Sequence, residues 1–251
     1  MAASLKKIVI VGATSALAEQ CARFWLTQSA ADMSLVGRDA GKLDMLAADL
    51  KVRNPAARIH THVVDFQDPA AIDQLVAQMG ATGAVDDVLI AHGSLPDQTA
   101  CQAQLALIQE AIAVNATSPV MFAEAFVRQM VAAGKGTVGI IGSVAGDRGR
   151  KSNYVYGAAK GLVTRYAEGL QHRLAGSNVK VVLIEPGPTD TPMTAHLKAA
   201  GAKLADASEV ARLICNAMDR GQPVAYVPAK WRLIMMVIKH LPRFVFNRMD
   251  I

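Results

Sequence analysis

Short apolar runs alternate along this chain with longer stretches in which apolar side chains recur every three to four positions. The runs 8–11, 33–36, 59–64, 88–91, 137–141, 179–184 and 224–227 predict strands. The stretches 15–28, 41–52, 70–79, 103–130, 154–174 and 208–220 predict helices. Strand–helix alternation implies a parallel sheet with crossovers on both faces. The near-continuous apolar character of the strands agrees, because helices would cover both sides. The expected fold is therefore α/β, a doubly wound parallel sheet of about seven strands. No internal repeat or Pro/Gly-rich linker divides it. One domain is expected over 1–228, and 229–251 is read as an amphipathic basic tail with no core of its own.

Composition sharpens this in a few places. At 251 residues, 52% of them apolar, the chain suits one large domain. Cys21, Cys101 and Cys215 lack disulfide or metal-ligand spacing, so reduced thiols and no metal site are expected. The first apolar run is too short for a signal peptide, and no later run approaches about 18 uninterrupted apolar residues, which predicts a cytoplasmic protein. A net charge of +5, without any nucleic-acid-binding motif, predicts no nucleic-acid partner.

The densest chemistry lies between Ser143 and Lys160. Tyr156 and Lys160 are four apart on a predicted helix and share a face. A phenol titrates near 10; bringing it toward 7 takes roughly 4 kcal/mol. A cation about 4 Å away supplies about that much at an effective dielectric near 20. The spacing suits acid–base chemistry on a hydroxyl or carbonyl group.

A nucleotide site is expected at the strand ends. Gly12, Thr14, Ser15, Ala16 and Leu17 follow the first strand and open the first helix, where backbone N–H groups face an anion. An ordinary turn capped by Thr14 or Ser15 is the alternative reading. Arg38 ends the second strand, where a guanidinium suits a ribose 2′-phosphate, so NADP(H) is preferred to NAD(H). Asp65 and Phe66 are candidates for the adenine edge, and Gly93 lets backbone approach a ligand. His92 is expected to be a packed or hydrogen-bonded histidine.

These motifs, in this order, resemble the short-chain dehydrogenase/reductase family from about Lys6 to Tyr226. The resemblance implies a Rossmann-type domain, and an oligomer (dimer or tetramer) that transfers hydride between NADP(H) and a secondary alcohol or ketone. It implies that Tyr156 moves the proton, Lys160 lowers its pKa and holds the ribose, and Ser143 polarises the carbonyl. Asn115 would anchor a water, and Pro186, Gly187 and Thr191 would hold the nicotinamide. Two departures stand out. Ala16 and Ala18 occupy later glycine positions, and Ala91 stands where the family has a strand-tying asparagine.

A narrower similarity links 145–157, 193–198 and 228–248 to the reductase component of decaprenyl-phospho-ribose 2′-epimerisation. It implies a lipid-linked keto sugar as substrate and a flavin oxidase as partner. Arg148 and Arg150, between Ser143 and Tyr156, are candidate substrate-phosphate ligands. Fatty-acyl, steroid-like or small ketones are the alternative substrates, and a non-catalytic NADP sensor or membrane-docking protein is the alternative class. The apolar, basic tail, split by Pro242 into two short helices, suits either a membrane surface at the inner face or packing against protein.

Overall fold

The computed structural model describes residues 5–249. Seven strands form one fully parallel sheet: β1 (Lys6–Val11), β2 (Ala31–Gly37), β3 (Arg58–Val63), β4 (Asp87–Ile90), β5 (Gly136–Ile141), β6 (Val179–Pro186) and β7 (Val224–Val227). Their spatial order is β3-β2-β1-β4-β5-β6-β7. The order reverses between β1 and β4, which pair with Val11 opposite Ile90. Ligand crevices in such sheets open at this switch point, beyond the carboxyl ends of the strands. The Rossmann-type architecture read from the sequence is the one observed, with strand ends shifted by one or two residues.

Helices cover both faces. They are α1 (Ala16–Gln28), α2 (Ala40–Arg53), α3 (Pro69–Ala81), α4 (Gln98–Ala103), α5 (Leu105–Ile112), α6 (Ser118–Ala133), α7 (Tyr154–Arg173), α8 (Ala195–Ala199), α9 (Ala207–Asp219), α10 (Lys230–His240) and α11 (Arg243–Phe246). Ser15, Asp39, Asp68 and Asp206 cap α1, α2, α3 and α9 with side-chain oxygens on first-turn N–H groups. One core layer joins the sheet to α3, α6 and α7 through Ile72, Met79, Phe122, Phe126, Val163 and Leu170. The other joins it to α1, α2 and α9 through Trp25, Leu43, Leu50, Val210, Ile214 and Met218. Phe122 and Phe126 are fully buried, and each contributes roughly 2–3 kcal/mol by leaving water. The stretch Leu105–Ala133 is long and apolar enough to cross a membrane; here its α6 portion lies under the sheet. The three cysteines are free and buried.

The single long helix expected at 103–130 is interrupted. Between α5 and α6 the backbone widens into a π-turn, Ala113–Thr117, closed by a bond from Ser118 N to Ala113 O. Such bulges concentrate at functional sites, and this one carries Asn115.

Candidate active site

A cavity of about 370 Å³ opens where β1, β4, β5 and β6 end. Its wall includes Thr14, Ser15, Ala16 and Leu17 after β1, Ala91–Gly93 after β4, Ser143 after β5, and Pro186, Gly187 and Thr191 at and after β6. Tyr156 and Lys160 enter it from α7, and Arg150 from the preceding loop. Gly12, Arg38, Asp65, Phe66, Asn115 and Arg148 are not in this wall.

Gly12 sits just behind. Its φ of +78° is a left-handed conformation, and a Cβ there would stand 2.6 Å from that of His92. Only glycine meets both demands. Arg38, exposed just beyond β2, lies 6.0 Å from the centroid of the buried Phe66 ring. Phe66 packs edge-on against His92 and Phe122. The exposed Asp65 accepts from Gln67 N at 2.8 Å. His92 is neutral: burial pushes its pKa down to about 3. Its Nε2 lies 2.9 Å from Ser118 Oγ, which ties the end of β4 to α6. That bond stands where Ala91 supplies no tie.

Asn115 is buried behind Gly93. Its Oδ1 accepts from Ser94 N at 2.9 Å and its Nδ2 donates to Ala111 O at 2.9 Å. A Cβ on Gly93 would fall 2.9 Å from Asn115 Oδ1 and 3.7 Å from Lys160 Nζ. The glycine thus leaves Asn115 and Lys160 on adjacent sides of one narrow space.

Tyr156 is hydrogen-bonded to Ser143. Burial pushes its pKa up to about 12, against a lowering by the Ser143 bond and with a further raising by Glu185. The expectation that Lys160 draws the phenol toward neutrality is not met in this arrangement. Lys160 Nζ lies 5.9 Å from the Tyr156 ring centroid and donates to Ile141 O at 2.8 Å. Burial lowers its pKa to about 8 even though Glu185 opposes the shift. Desolvation outweighs the pair attraction here.

Glu185 had no place in the sequence reading. It is buried near the end of β6, and its Oε1 accepts from Thr164 Oγ1 at 3.0 Å. Oε2 has no partner among the described residues. Burial first, then Asp147, pushes its pKa up to about 8. A carboxylate inside the otherwise apolar run Val181–Pro186 was the available signal.

The two candidate substrate arginines part ways. Arg150 lines the cavity with Nε unpartnered among the described residues and Nη2 3.4 Å from Met235 Sδ. Arg148 turns to the tail. Its Nη1 donates to Ile238 O at 2.5 Å and Leu241 O at 2.7 Å, and its guanidinium lies 3.9 Å from the Phe246 ring centroid. Carbonyls at the C-terminus of α10 attract this cation because the helix dipole is negative there. The structure therefore removes Arg148 from the substrate wall.

Comparison with known proteins decides the family. Residues 6–201 match the pattern described as short chain dehydrogenase. An uncharacterized oxidoreductase of Mycobacterium tuberculosis is 31% identical over 243 residues, 96% of each chain. The chain belongs to the short-chain dehydrogenase family. A short-chain type dehydrogenase/reductase from Mycobacterium ulcerans superposes with a TM-score of 0.82 at 18% identity, covering both chains completely. A Sphingobium yanoikuyae short-chain dehydrogenase solved with NADPH gives 0.79 at 22% identity, covering 95% of this chain and 97% of that one.

This short-chain dehydrogenase is thus an oxidoreductase that moves hydride between a nicotinamide cofactor and a CH–OH or ketone group. Its residues fit such a cofactor. The N-terminus of α1, where first-turn N–H groups lack helical partners, faces the cavity. Lys160 uses one of its three donors on Ile141, which leaves two that could reach a ribose. Arg38 has no ion pair among the described residues.

Proposed function

We propose that this enzyme reduces a ketone with NADPH, and that its substrate joins an apolar body to an anionic or sugar-like end. The observation that carries the reading is geometric: Ser143, Tyr156 and Lys160 line one cavity together with the N-terminus of α1. Burial keeps the phenol protonated at neutral pH, so it holds the proton that a carbonyl oxygen takes up as negative charge develops there.

Ser143 hydrogen-bonds and polarises the substrate oxygen, and Tyr156 delivers the proton to it. Lys160 holds the nicotinamide ribose and replenishes that proton through a water anchored beside Asn115. A bound reduced nicotinamide supplies the hydride that reaches the carbonyl carbon. Gly12, Thr14, Ser15, Ala16 and Leu17 hold the pyrophosphate, Asp65 and Phe66 border the adenine, and Gly93, Pro186, Gly187 and Thr191 border the nicotinamide. Arg38 takes the 2′-phosphate, which makes NADP(H) the preferred cofactor. The NADPH in the Sphingobium enzyme's structure supports that choice.

Substrate chemistry follows from the wall. Leu95, Val144, Met193 and Leu197 make it apolar. Arg150 Nε and Asn153 Oδ1 are buried there without partners among the described residues. Those two groups suit a phosphate and a hydroxyl, which favours a lipid-linked keto sugar as substrate; a flavin oxidase as its source is the part of the proposal that rests on resemblance alone. Fatty-acyl or steroid-like ketones would leave both polar groups unpaired, a cost of about 1–3 kcal/mol each.

The test is NADPH oxidation against a polyprenyl-phospho keto sugar beside simple ketones. Tyr156→Phe should abolish turnover and keep NADPH binding. Near-normal turnover by that variant would end the proposed mechanism, and equal rates on all ketones would end the substrate assignment.

A further inference from the structure

The tail carries two apolar faces where an ordinary surface helix carries one. The inner face of α10 packs on the enzyme. Trp231 lies against Gly187, and Met235 is fully buried beside Arg150. The outer face consists of Leu233, Met236 and Val237, which are 65%, 55% and 57% exposed. Their i, i+3, i+4 spacing puts them on one side of the helix, opposite Trp231 and Met235. Phe244 and Val245 of α11 add a further exposed apolar pair.

Charge says what this surface meets. Lys230, Arg232, Arg243 and Arg248 are all exposed and form no ion pair among the described residues. The stretch 220–249 contains no acidic residue. Over 220–251 six Lys and Arg residues stand against one acidic side chain, Asp250, so pairing this patch with the same patch on a second copy would bring mainly like charges together. An anionic bilayer complements both features: apolar side chains enter the acyl boundary while the cations remain at the headgroups.

The surface is also built in advance. Lys239 Nζ pairs with Asp147 Oδ1 at 2.9 Å, and Asp147 Oδ2 accepts from Tyr226 at 2.9 Å. Arg148 clamps α10 to α11 through the Ile238 and Leu241 carbonyls and the Phe246 ring. Docking therefore needs little ordering of the tail, which lowers its entropic cost.

We infer that the outward face of α10 and α11 docks this enzyme on an anionic lipid bilayer, with the cavity wall at Gly187 and Arg150 one helix diameter from the lipid. The inference is independent of the substrate reading above.

The experiment is sedimentation of the full-length protein with phosphatidylcholine vesicles and with mixed phosphatidylcholine–phosphatidylglycerol vesicles. Co-sedimentation with the mixed vesicles, weakened by salt, is expected. Leu233→Asp with Val237→Asp, or Phe244→Asp, should abolish it. Neutralising Arg243 or Arg248 to Gln should lower partitioning about five-fold each. These positions are exposed, so the variants should keep the wild-type circular dichroism and the wild-type rate of NADPH oxidation with a soluble ketone. That rate is read without vesicles, so a failed reductase assay leaves the sedimentation result interpretable. Wild-type protein remaining in the supernatant with both vesicle types would overturn the inference. So would face variants that sediment like wild type, or that split an oligomer while wild type ignores lipid.

Discussion

Trp231 packs so closely on Gly187 that a methyl group built on the glycine would stand 1.8 Å from the indole nitrogen. The tail is thereby seated on a residue that lines the cavity. Gly187→Ala is expected to push Trp231 out at a cost of about 1–3 kcal/mol, a fall of roughly 3–10 °C in thermal midpoint. The pair Gly187→Ala/Trp231→Ala should lose less than the sum of the single variants, because the clash needs both side chains. Additive losses in a melting series would show that the tail and the cavity rim are independent.

If Arg38 holds the 2′-phosphate as proposed, it sets the choice between the two nicotinamide cofactors. Arg38→Asp should raise the KM for NADPH about 10- to 100-fold, the worth of a charged hydrogen-bonding partner. It should also improve use of NADH. Steady-state kinetics with both cofactors check this, and an unchanged ratio of kcat/KM values would place the 2′-phosphate elsewhere.

His92 makes the protein sensitive to acid. Its folded pKa of about 3 lies below the ordinary 6.5. Between those values the unfolded chain takes up a proton that the native state refuses. Stability therefore falls as pH drops from about 6.5 toward 3, with a ceiling of about 5 kcal/mol. His92→Gln, which can keep the Ser118 bond, should flatten this limb in denaturant titrations at pH 4 to 7.

Glu185 acts with the opposite sign. Its folded pKa of about 8 lies above the ordinary 4.5. The native state holds the proton more tightly, so its stabilising effect is complete below about 4.5 and is lost as pH rises through 8. Glu185→Gln keeps an acceptor for Thr164 and should remove that loss. It also takes away the carboxylate that supports the Lys160 charge. The alkaline limb of the kcat/KM profile should therefore move to lower pH, while a merely structural role would leave that limb in place.

The periodicity of apolar residues determined the layered parallel sheet, the long helices α1, α2, α3, α7 and α9 to within a few residues, and the break at Pro242, but not α4, α8 or the π-turn that splits 103–130. Those features depend on contacts between neighbours in the chain and on which face must leave water, and both are written locally. The order of Gly12, Ser143, Tyr156 and Lys160 likewise brought the candidate chemistry to the carboxyl ends of the central strands. Tertiary structure decided what those groups became. Whether Tyr156 is acidic depends on how much water surrounds it, and Lys160 found a carbonyl at Ile141 instead of the phenol. Arg148 and Arg150, two residues apart, went to different ends: one clamps a helix nearly a hundred positions away, the other faces the cavity. Glu185 acquired its role only from the side chains that closed over it. Desolvation and long-range pairing depend on the packed surroundings of a group, and local sequence carries no record of them.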